Sequence, residues 1–423
     1  MYPNPFTLER FFARHEFSAR YLLSTSDCQG TAMRDLVAGA GTELRARWDG
    51  LRLGYTESQG LPELRAEIAA LHQTVEPDEV LVAAPEEAIF LLMNALLEPG
   101  DHVVCTFPGY QSLYELARTI GCEVDLWKPV EGVAGPDETG NNDERLWWFD
   151  PAELEELLRP DTKLVVWNFP HNPTGALPAQ DDFARMLAAA EAAGAWVFSD
   201  EMYRLLEPTD GVRLPTGVDG YERAVSLSGM SKVFGLAGLR LGWVVTHDRE
   251  LLERMKSLKD YTTICSSAPS EILALMGLQA RDDILAANRE LVRRNKEVAG
   301  AFFARHASVL SWIPPQAGTV CFPRLEEGHA ARHAKRHAAN LTGRAPHHAG
   351  DHATPAASRD AVPGASAEAF CARVLRDAGV LLLPSTVYHF GDEHFRMGLG
   401  REDFETGLAV LDAYLTGAVL AAT

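Results

Sequence analysis

Residues 164–203 read LVVWNFPHNPTGALPAQDDFARMLAAAEAAGAWVFSDEMY, and this stretch decides the fold. Its first run, Leu164–Asn168, is apolar at consecutive positions, as a strand buried on both faces should be. Asn172-Pro173 and Thr174-Gly175 are turn formers. Asp181–Ala193 carries a helical pattern, Gly194 stops it, and Ala195–Ser199 is a second short apolar run. In both directions the alternation continues. Val80–Ala84 precedes the helical stretch Glu86–Leu97, and His102–Thr106 precedes Tyr110–Ile120. Further strands are expected at Cys122–Leu126, Ala224–Ser228 and Leu241–Thr246. Pro85 suits a first helical turn, where its missing N–H would be unpaired anyway, and Gly100 and Gly121 follow helices as stops. Such alternation predicts an α/β fold: a large domain with a mostly parallel seven-stranded sheet flanked by helices. Ligands of such sheets collect at the carboxyl ends of the strands, so chemistry is expected in the residues just after them.

The flanks differ from this pattern. Residues 1–50 read as a short arm and a helix, and a long helical stretch runs from about Ala268 to His306. The expected division is an arm and part of a small domain at 1–50, the large domain at 51–275, and a smaller α+β domain at 276–423. Residues 326–366 are foreign in composition, rich in Ala and His. His329, His333 and His337 recur every four residues and would share one face of a helix. No acidic or Cys ligand stands in fixed spacing with them, so the segment reads as a solvated, mobile insertion rather than a metal site.

Composition narrows the function. The 423 residues carry 39 Lys plus Arg against 59 Asp plus Glu, a net charge of −20. That sign opposes nucleic-acid backbones and anionic membranes. No apolar run reaches the roughly 18–20 residues needed to span a bilayer. The opening MYPNPFTLERFF has no basic-then-apolar signal pattern. The six cysteines are scattered without a CxxC pair, as expected of a reduced, cytoplasmic chain.

Four local signals fall where the sheet places ligands. Asn168 to Gly175 follows the fourth strand, and the amides of Asn168 and Asn172 can donate to a ligand oxygen. Asp200, in Ser199-Asp200-Glu201-Met202-Tyr203, ends the fifth; it could hold a cationic ring nitrogen or cap a helix. Lys232 sits among Ser, Gly and apolar residues in Ser228–Gly242, where partial burial can lower an amine pKa and make it a nucleophile for an aldehyde. Arg240, eight residues later, offers a fork suited to phosphate. Arg396, in Phe395-Arg396-Met397-Gly398, is costly to bury without an anion; a substrate carboxylate or a structural ion pair would each explain it. A lysine for a Schiff base, an acid for a pyridinium, Asn and Tyr203 for a phenolic oxygen and an Arg for phosphate suit pyridoxal phosphate.

From about Leu53 to Phe404, this set resembles the class I/II aminotransferases of the fold-type I pyridoxal-phosphate family. The resemblance implies that Lys232 is the Schiff-base lysine and proton shuttle and that Asp200 pairs with the pyridine nitrogen. It implies that Asn172 and Tyr203 bond the ring oxygen, that Tyr110 stacks on the ring, and that Ser231 and Arg240 hold the phosphate. Tyr55 would help from the facing subunit of a homodimer, and Arg396 would take the substrate α-carboxylate, beside Asn172. The phosphate loop departs from the family pattern, reading Ala84-Pro85-Glu86-Glu87: Pro85 removes one donor, and Glu86 stands beside the cofactor site. Ser24–Gly30 and Pro384-Ser385-Thr386 also depart from the family's substrate-bordering segments. The Ser-rich stretch is similar to that of capreomycidine-synthase-like enzymes, which cyclise a hydroxylated arginine through elimination. The implied function is an aminotransferase acting on an α-amino acid; the alternatives are an eliminating lyase or cyclase in amino-acid or natural-product biosynthesis, and a non-catalytic ligand-sensing module.

Overall fold

The computed structural model describes residues 2–133, 145–326 and 366–417. The His-rich insertion expected at 326–366, with His329, His333 and His337, lies outside the described residues except at its two ends. Helix α1 is Thr7–His15. Seven strands then build the main sheet: β1 Val80–Ala83, β2 His102–Thr106, β3 Glu123–Trp127, β4 Thr162–Asn168, β5 Trp196–Asp200, β6 Ala224–Gly229 and β7 Gly242–Val245. Their spatial order is β1-β7-β6-β5-β4-β2-β3. β2 through β6 run parallel, and β7 runs antiparallel to both of its neighbours. The reversal has a local cause. No α-helix separates β6 from β7, only a loop with one 3₁₀ turn at Ala237–Leu239, and a parallel return needs a crossover. β7 folds back so tightly that a Cβ on Gly242 would lie 2.6 Å from the Ser228 carbonyl oxygen.

Helices α2 (Pro85–Leu96), α3 (Ser112–Ile120) and α4 (Gln180–Ala193) follow β1, β2 and β4. Pro85 is the first residue of α2, and α3 and α4 end on left-handed Gly121 and Gly194. The stretch from Ala268 is two helices rather than one: α5 (Ala268–Gln279) and α6 (Arg281–Arg305), separated at Ala280, whose φ of −94° and ψ of 13° leave the helical range. The first fifty residues likewise hold more than one helix, since Met33–Gly39 and Thr42–Asp49 are also helical.

The two ends of the chain meet. The short strand Tyr21–Leu22 pairs with Val380–Leu381, and strand β8 (Phe395–Gly398) lies between Val320–Cys321 and Leu383–Pro384. Leu23, Phe302, Phe395 and Leu411 share one buried cluster. Gly398 permits the close approach of β8 to the N-terminal segment: its N–H reaches the Leu23 carbonyl at 2.8 Å, and a Cβ there would stand 1.7 Å from the Thr25 oxygen. Among the described residues, no helix is long and apolar enough to cross a membrane.

Candidate active site

A cavity of about 420 Å³ opens at the carboxyl ends of β4, β5 and β6. It gathers Asn172, Asp200, Tyr203, Ser231, Lys232, Arg240, Arg396, Tyr110 and Glu86. Tyr55 is absent from this group; it is 90% exposed on the outside of the chain.

Asp200 is the last residue of β5, buried, and one of its oxygens accepts the Met202 N–H at 3.1 Å. A turn, not a helix, follows it, so the side chain caps no α-helix. Burial raises its carboxyl pKa to about 7, against the opposing effects of the Met202 N–H and the Lys232 charge. Lys232 follows β6 and donates from Nζ to Ser26 Oγ at 3.0 Å. Desolvation lowers its pKa; Asp27 opposes the shift and Arg396 adds to it. Asp27 is already matched, since both its oxygens lie 2.9 Å from Arg401.

Asn172 is fixed by its own backbone N–H, which donates to Asn168 Oδ1 at 2.9 Å, while Asn168 donates to the Asp200 carbonyl at 3.0 Å. The loop of the NPTG motif is thereby tied to the end of β5. Tyr203 is buried, and burial pushes its phenol up to about 12. Ser231 is buried; Arg240 is exposed, left-handed at φ 49°, and donates to the Ala237 carbonyl. Tyr110 donates to Glu9 Oε1 at 3.1 Å.

Arg396 is 1% exposed and has no carboxylate partner among the described residues. Nε and Nη2 donate to the Ser24 carbonyl at 3.1 and 2.6 Å, and Nη1 donates to the Tyr388 hydroxyl at 2.7 Å and to Asn172 Oδ1 at 3.2 Å. Among the described residues, the structural ion pair that would have explained its burial is not formed. Four of the five guanidinium N–H groups are used, leaving one on Nη2.

Several residues that line the cavity, or that hold its lining from behind, escape a motif-based reading. Tyr388 bonds Asn172 and Arg396 from a short 3₁₀ turn. Ser24 acts through its backbone oxygen, which no side-chain pattern reveals. Helix α1 forms one wall with Glu9, Phe12 and Glu16, spaced three and four apart and therefore on one face. Phe12 lies under the Arg396 guanidinium at 5.7 Å, and burial raises the Glu16 carboxyl, helped by Asp27 and Glu9. The α1 spacing was a readable signal, though nothing in it says which cavity it faces.

The chain belongs to the aminotransferase class I and II family, whose model matches residues 21–407. This family depends on pyridoxal phosphate. The chain is 27% identical over 420 residues to capreomycidine synthase from Streptomyces vinaceus, covering 94% of this chain and 91% of the relative. It resembles the structure of a pyridoxal-phosphate-dependent aminotransferase from Streptococcus suis with a TM-score of 0.81, at 25% identity and 100% coverage of both chains. It also resembles that of the pyridoxal-phosphate-dependent cyclase OrfR with a TM-score of 0.79, at 28% identity and 99% coverage of both.

The residues present fit that cofactor. Asp200, Arg240 and Arg396 border one cavity, and none of them forms a salt bridge among the described residues. Asp200 suits a ring cation and Arg240 a phosphate. The N–H groups of Glu86 and Glu87, in the first turn of α2, lie in the positive end of that helix.

Proposed function

We propose that the chain is a pyridoxal-phosphate-dependent enzyme acting on an α-amino acid with a positively charged side chain, with Lys232 as the base that removes the α-proton. The observation that carries this reading is the set of unmatched charges around one cavity. Asp200, Arg240 and Arg396 would be answered by a ring cation, a phosphate and an α-carboxylate. Glu9 and Glu16 line the same cavity as Phe12 and form no salt bridge among the described residues, although the Arg401 and Lys232 charges act on the Glu16 carboxyl. An amine or guanidinium on the substrate would answer them, the ring supporting it through cation–π attraction.

Bound pyridoxal phosphate would supply an aldehyde carbon and an electron-withdrawing ring. Lys232 would hold it covalently, Asp200 would keep its ring nitrogen protonated, and Tyr203 and Asn172 would donate to its ring oxygen. Tyr110 would cover its face, and Ser231, Arg240 and the first N–H groups of α2, at Glu86 and Glu87, would bind its phosphate. Pro85 supplies no N–H there. Desolvation favours the neutral Lys232 amine, which is the form able to accept a proton. Arg396 and Asn172 would orient the α-carboxylate so that the α-hydrogen faces that amine.

Amino transfer is the first reading. Elimination with ring closure is the second, supported by the likeness to capreomycidine synthase along nearly the whole chain. The site is read as completed in a homodimer. Leu53, Tyr55, Tyr261 and Ile264 are exposed apolar residues, and the segments that carry them are joined by the Thr56 hydroxyl donating to the Ser266 carbonyl. A second copy covering them would bring Tyr55 toward the other chain's phosphate end. The test is to load purified protein with pyridoxal phosphate and offer basic, neutral and acidic amino acids, following the cofactor spectrum and product mass. A keto acid with the amine form of the cofactor indicates amino transfer. Loss of water or of a side-chain substituent without a keto-acid acceptor indicates elimination. Preference for acidic amino acids refutes the role given to Glu9 and Glu16, and a loaded protein inert to all of them is a sensing module.

A further inference from the structure

The Ser-rich segment Ser24–Gly30 brings Thr25, Ser26 and Asp27 into the wall of the cavity. These three consecutive side chains divide between two partners. Thr25 Oγ1 accepts from Arg401 Nε at 3.1 Å, and both Asp27 oxygens accept from Arg401 Nη2 at 2.9 Å. Ser26, between them, turns the other way, as successive side chains of an extended chain do, and its Oγ accepts from Lys232 Nζ at 3.0 Å. Among the described residues the amine has no other hydrogen-bond partner.

The backbone of this segment is pinned independently of the Ser26 hydroxyl. The Ser26 carbonyl accepts from Thr319 Oγ1 at 2.6 Å, the Cys28 N–H donates to the Lys232 carbonyl at 3.0 Å, and two N–H groups of Arg396 donate to the Ser24 carbonyl. One short stretch thus holds Lys232 at both ends, its main chain through Cys28 and its amine through Ser26. A lysine side chain is long and flexible, and an amine that must meet one hydrogen of a bound amino acid gains from being held. A hydroxyl suits that task. It accepts from an ammonium and donates to a free amine, so the hold survives the arrival and departure of a proton.

We infer that Ser26 is a positioning residue for Lys232, its hydroxyl holding Nζ in place before and after the amine takes the α-proton. This inference rests on the pyridoxal-phosphate reading above. The acids that share the cavity with the amine are Glu9 and Glu16 on the α1 wall, Asp27, Glu86 in the first turn of α2 and Asp200 at the end of β5; the other cations are Arg240 after β6 and Arg396 on β8. None of them is bonded to Lys232 among the described residues, and Asp27 is taken up by Arg401. Holding the amine falls to the hydroxyl rather than to an ion pair.

The test has two readouts, and Ser26→Ala should fold for both, because its backbone stays anchored to Thr319. Competitive acetylation of the cofactor-free full chain from about pH 6 to about pH 11, read at Lys232 by peptide mass, gives the midpoint at which the amine loses its proton. A hydrogen bond from the charged amine is stronger than one involving the neutral amine, so Ser26→Ala should lower that midpoint by about 0.5 unit or more, while Ser26→Thr, which keeps a hydroxyl, should hold it within about 0.2 unit. In the chain loaded with pyridoxal phosphate, exchange of the α-hydrogen of L-lysine and L-arginine with solvent deuterium should fall about tenfold or more at saturation in Ser26→Ala, and Ser26→Thr should recover most of the rate. Half-saturation and affinity for pyridoxamine 5′-phosphate should change by less than about twofold. An unmoved midpoint in Ser26→Ala overturns the inference, as does an exchange rate within about twofold of wild type. Loss of cofactor affinity equal to the loss of rate, or Ser26→Thr as slow as Ser26→Ala, overturns it too. Wild type that exchanges neither amino acid refutes the function proposed above; the Lys232 midpoint, read without cofactor or substrate, then still decides whether Ser26 holds the amine.

Discussion

Replacing Arg396 with alanine should separate substrate recognition from cofactor binding. The guanidinium is 1% exposed and directs two N–H groups at the Ser24 carbonyl and two at the Tyr388 hydroxyl and Asn172. In the proposed function its loss would remove the counter-charge for an α-carboxylate and leave that carboxylate buried and unpaired. Breaking such a pair costs about 2–5 kcal/mol, equivalent to about 30- to 5,000-fold in kcat/KM. A smaller penalty falls on the fold: the Ser24 carbonyl loses both donors, which costs about 1–3 kcal/mol and lowers the melting midpoint by a few degrees. Lysine should rescue poorly, because one ammonium cannot span Ser24, Tyr388 and Asn172. The assay measures kcat/KM for a set of α-amino acids and for the corresponding amines that lack the carboxylate, with cofactor affinity measured in parallel. The loss should be uniform across the amino acids and absent for the amines. An equal loss for the amines, or unchanged kcat/KM with a lowered melting midpoint, would refute the carboxylate assignment and leave Arg396 as a structural anchor.

Lys232→Ala should abolish turnover, and borohydride reduction of the loaded wild type should label Lys232; label on another lysine refutes its role. Asp200→Asn should lower catalysis by several orders of magnitude, because the ring nitrogen loses the acid that keeps it protonated. Asp200 also makes the cofactor-free protein pH-sensitive. Its folded pKa of about 7 lies above the ordinary carboxylate value, so its contribution is most favourable below about pH 4 and is lost as pH rises through about 7. Chemical denaturation from pH 5 to pH 8 should show wild type losing stability relative to Asp200→Asn, and parallel curves would contradict the burial argument. Glu9→Gln with Glu16→Gln should raise KM for basic amino acids by about tenfold or more and leave neutral ones little changed; an equal change for both classes removes α1 from side-chain recognition. Gly398→Ala should fail to fold or melt far below wild type, since its Cβ would stand 1.7 Å from the Thr25 oxygen; a wild-type melting curve would show that the two segments can separate freely.

The parts of this molecule that could be read from residues alone are those whose physics is local. β2, β4, β5 and β6 are apolar runs between turn formers, and burial on both faces leaves that mark in any sequence. The clustering of Asn172, Asp200 and Lys232 followed from their positions after strands of one sheet. The antiparallel return of β7 was hidden, because direction depends on the absence of a crossover helix rather than on the strand's own residues. The α1 wall was hidden too. Glu9, Phe12 and Glu16 form an ordinary amphipathic face, and only the anchoring of the N-terminal arm, through Asn4 to Glu115 and Thr7 to Gln111, turns it toward the cavity. The segments Ser24–Gly30 and Pro384-Ser385-Thr386 stood out in the sequence, but Ser24 enters through a carbonyl that every residue has, and Tyr388 from the end of the short turn that Ser385 begins.

The bonds between Arg396 and Ser24 also bear on the order in which the molecule is assembled. The residues that would grip the cofactor, from Glu86 through Arg240, belong to one continuous stretch of chain and can come together as that stretch folds. The substrate half cannot, because its guanidinium and the carbonyl that holds it are 372 residues apart in sequence. Contacts of such separation are entropically late. Local opening of that long-range contact would thus disturb amino-acid selection while leaving the stretch that would grip the cofactor continuous.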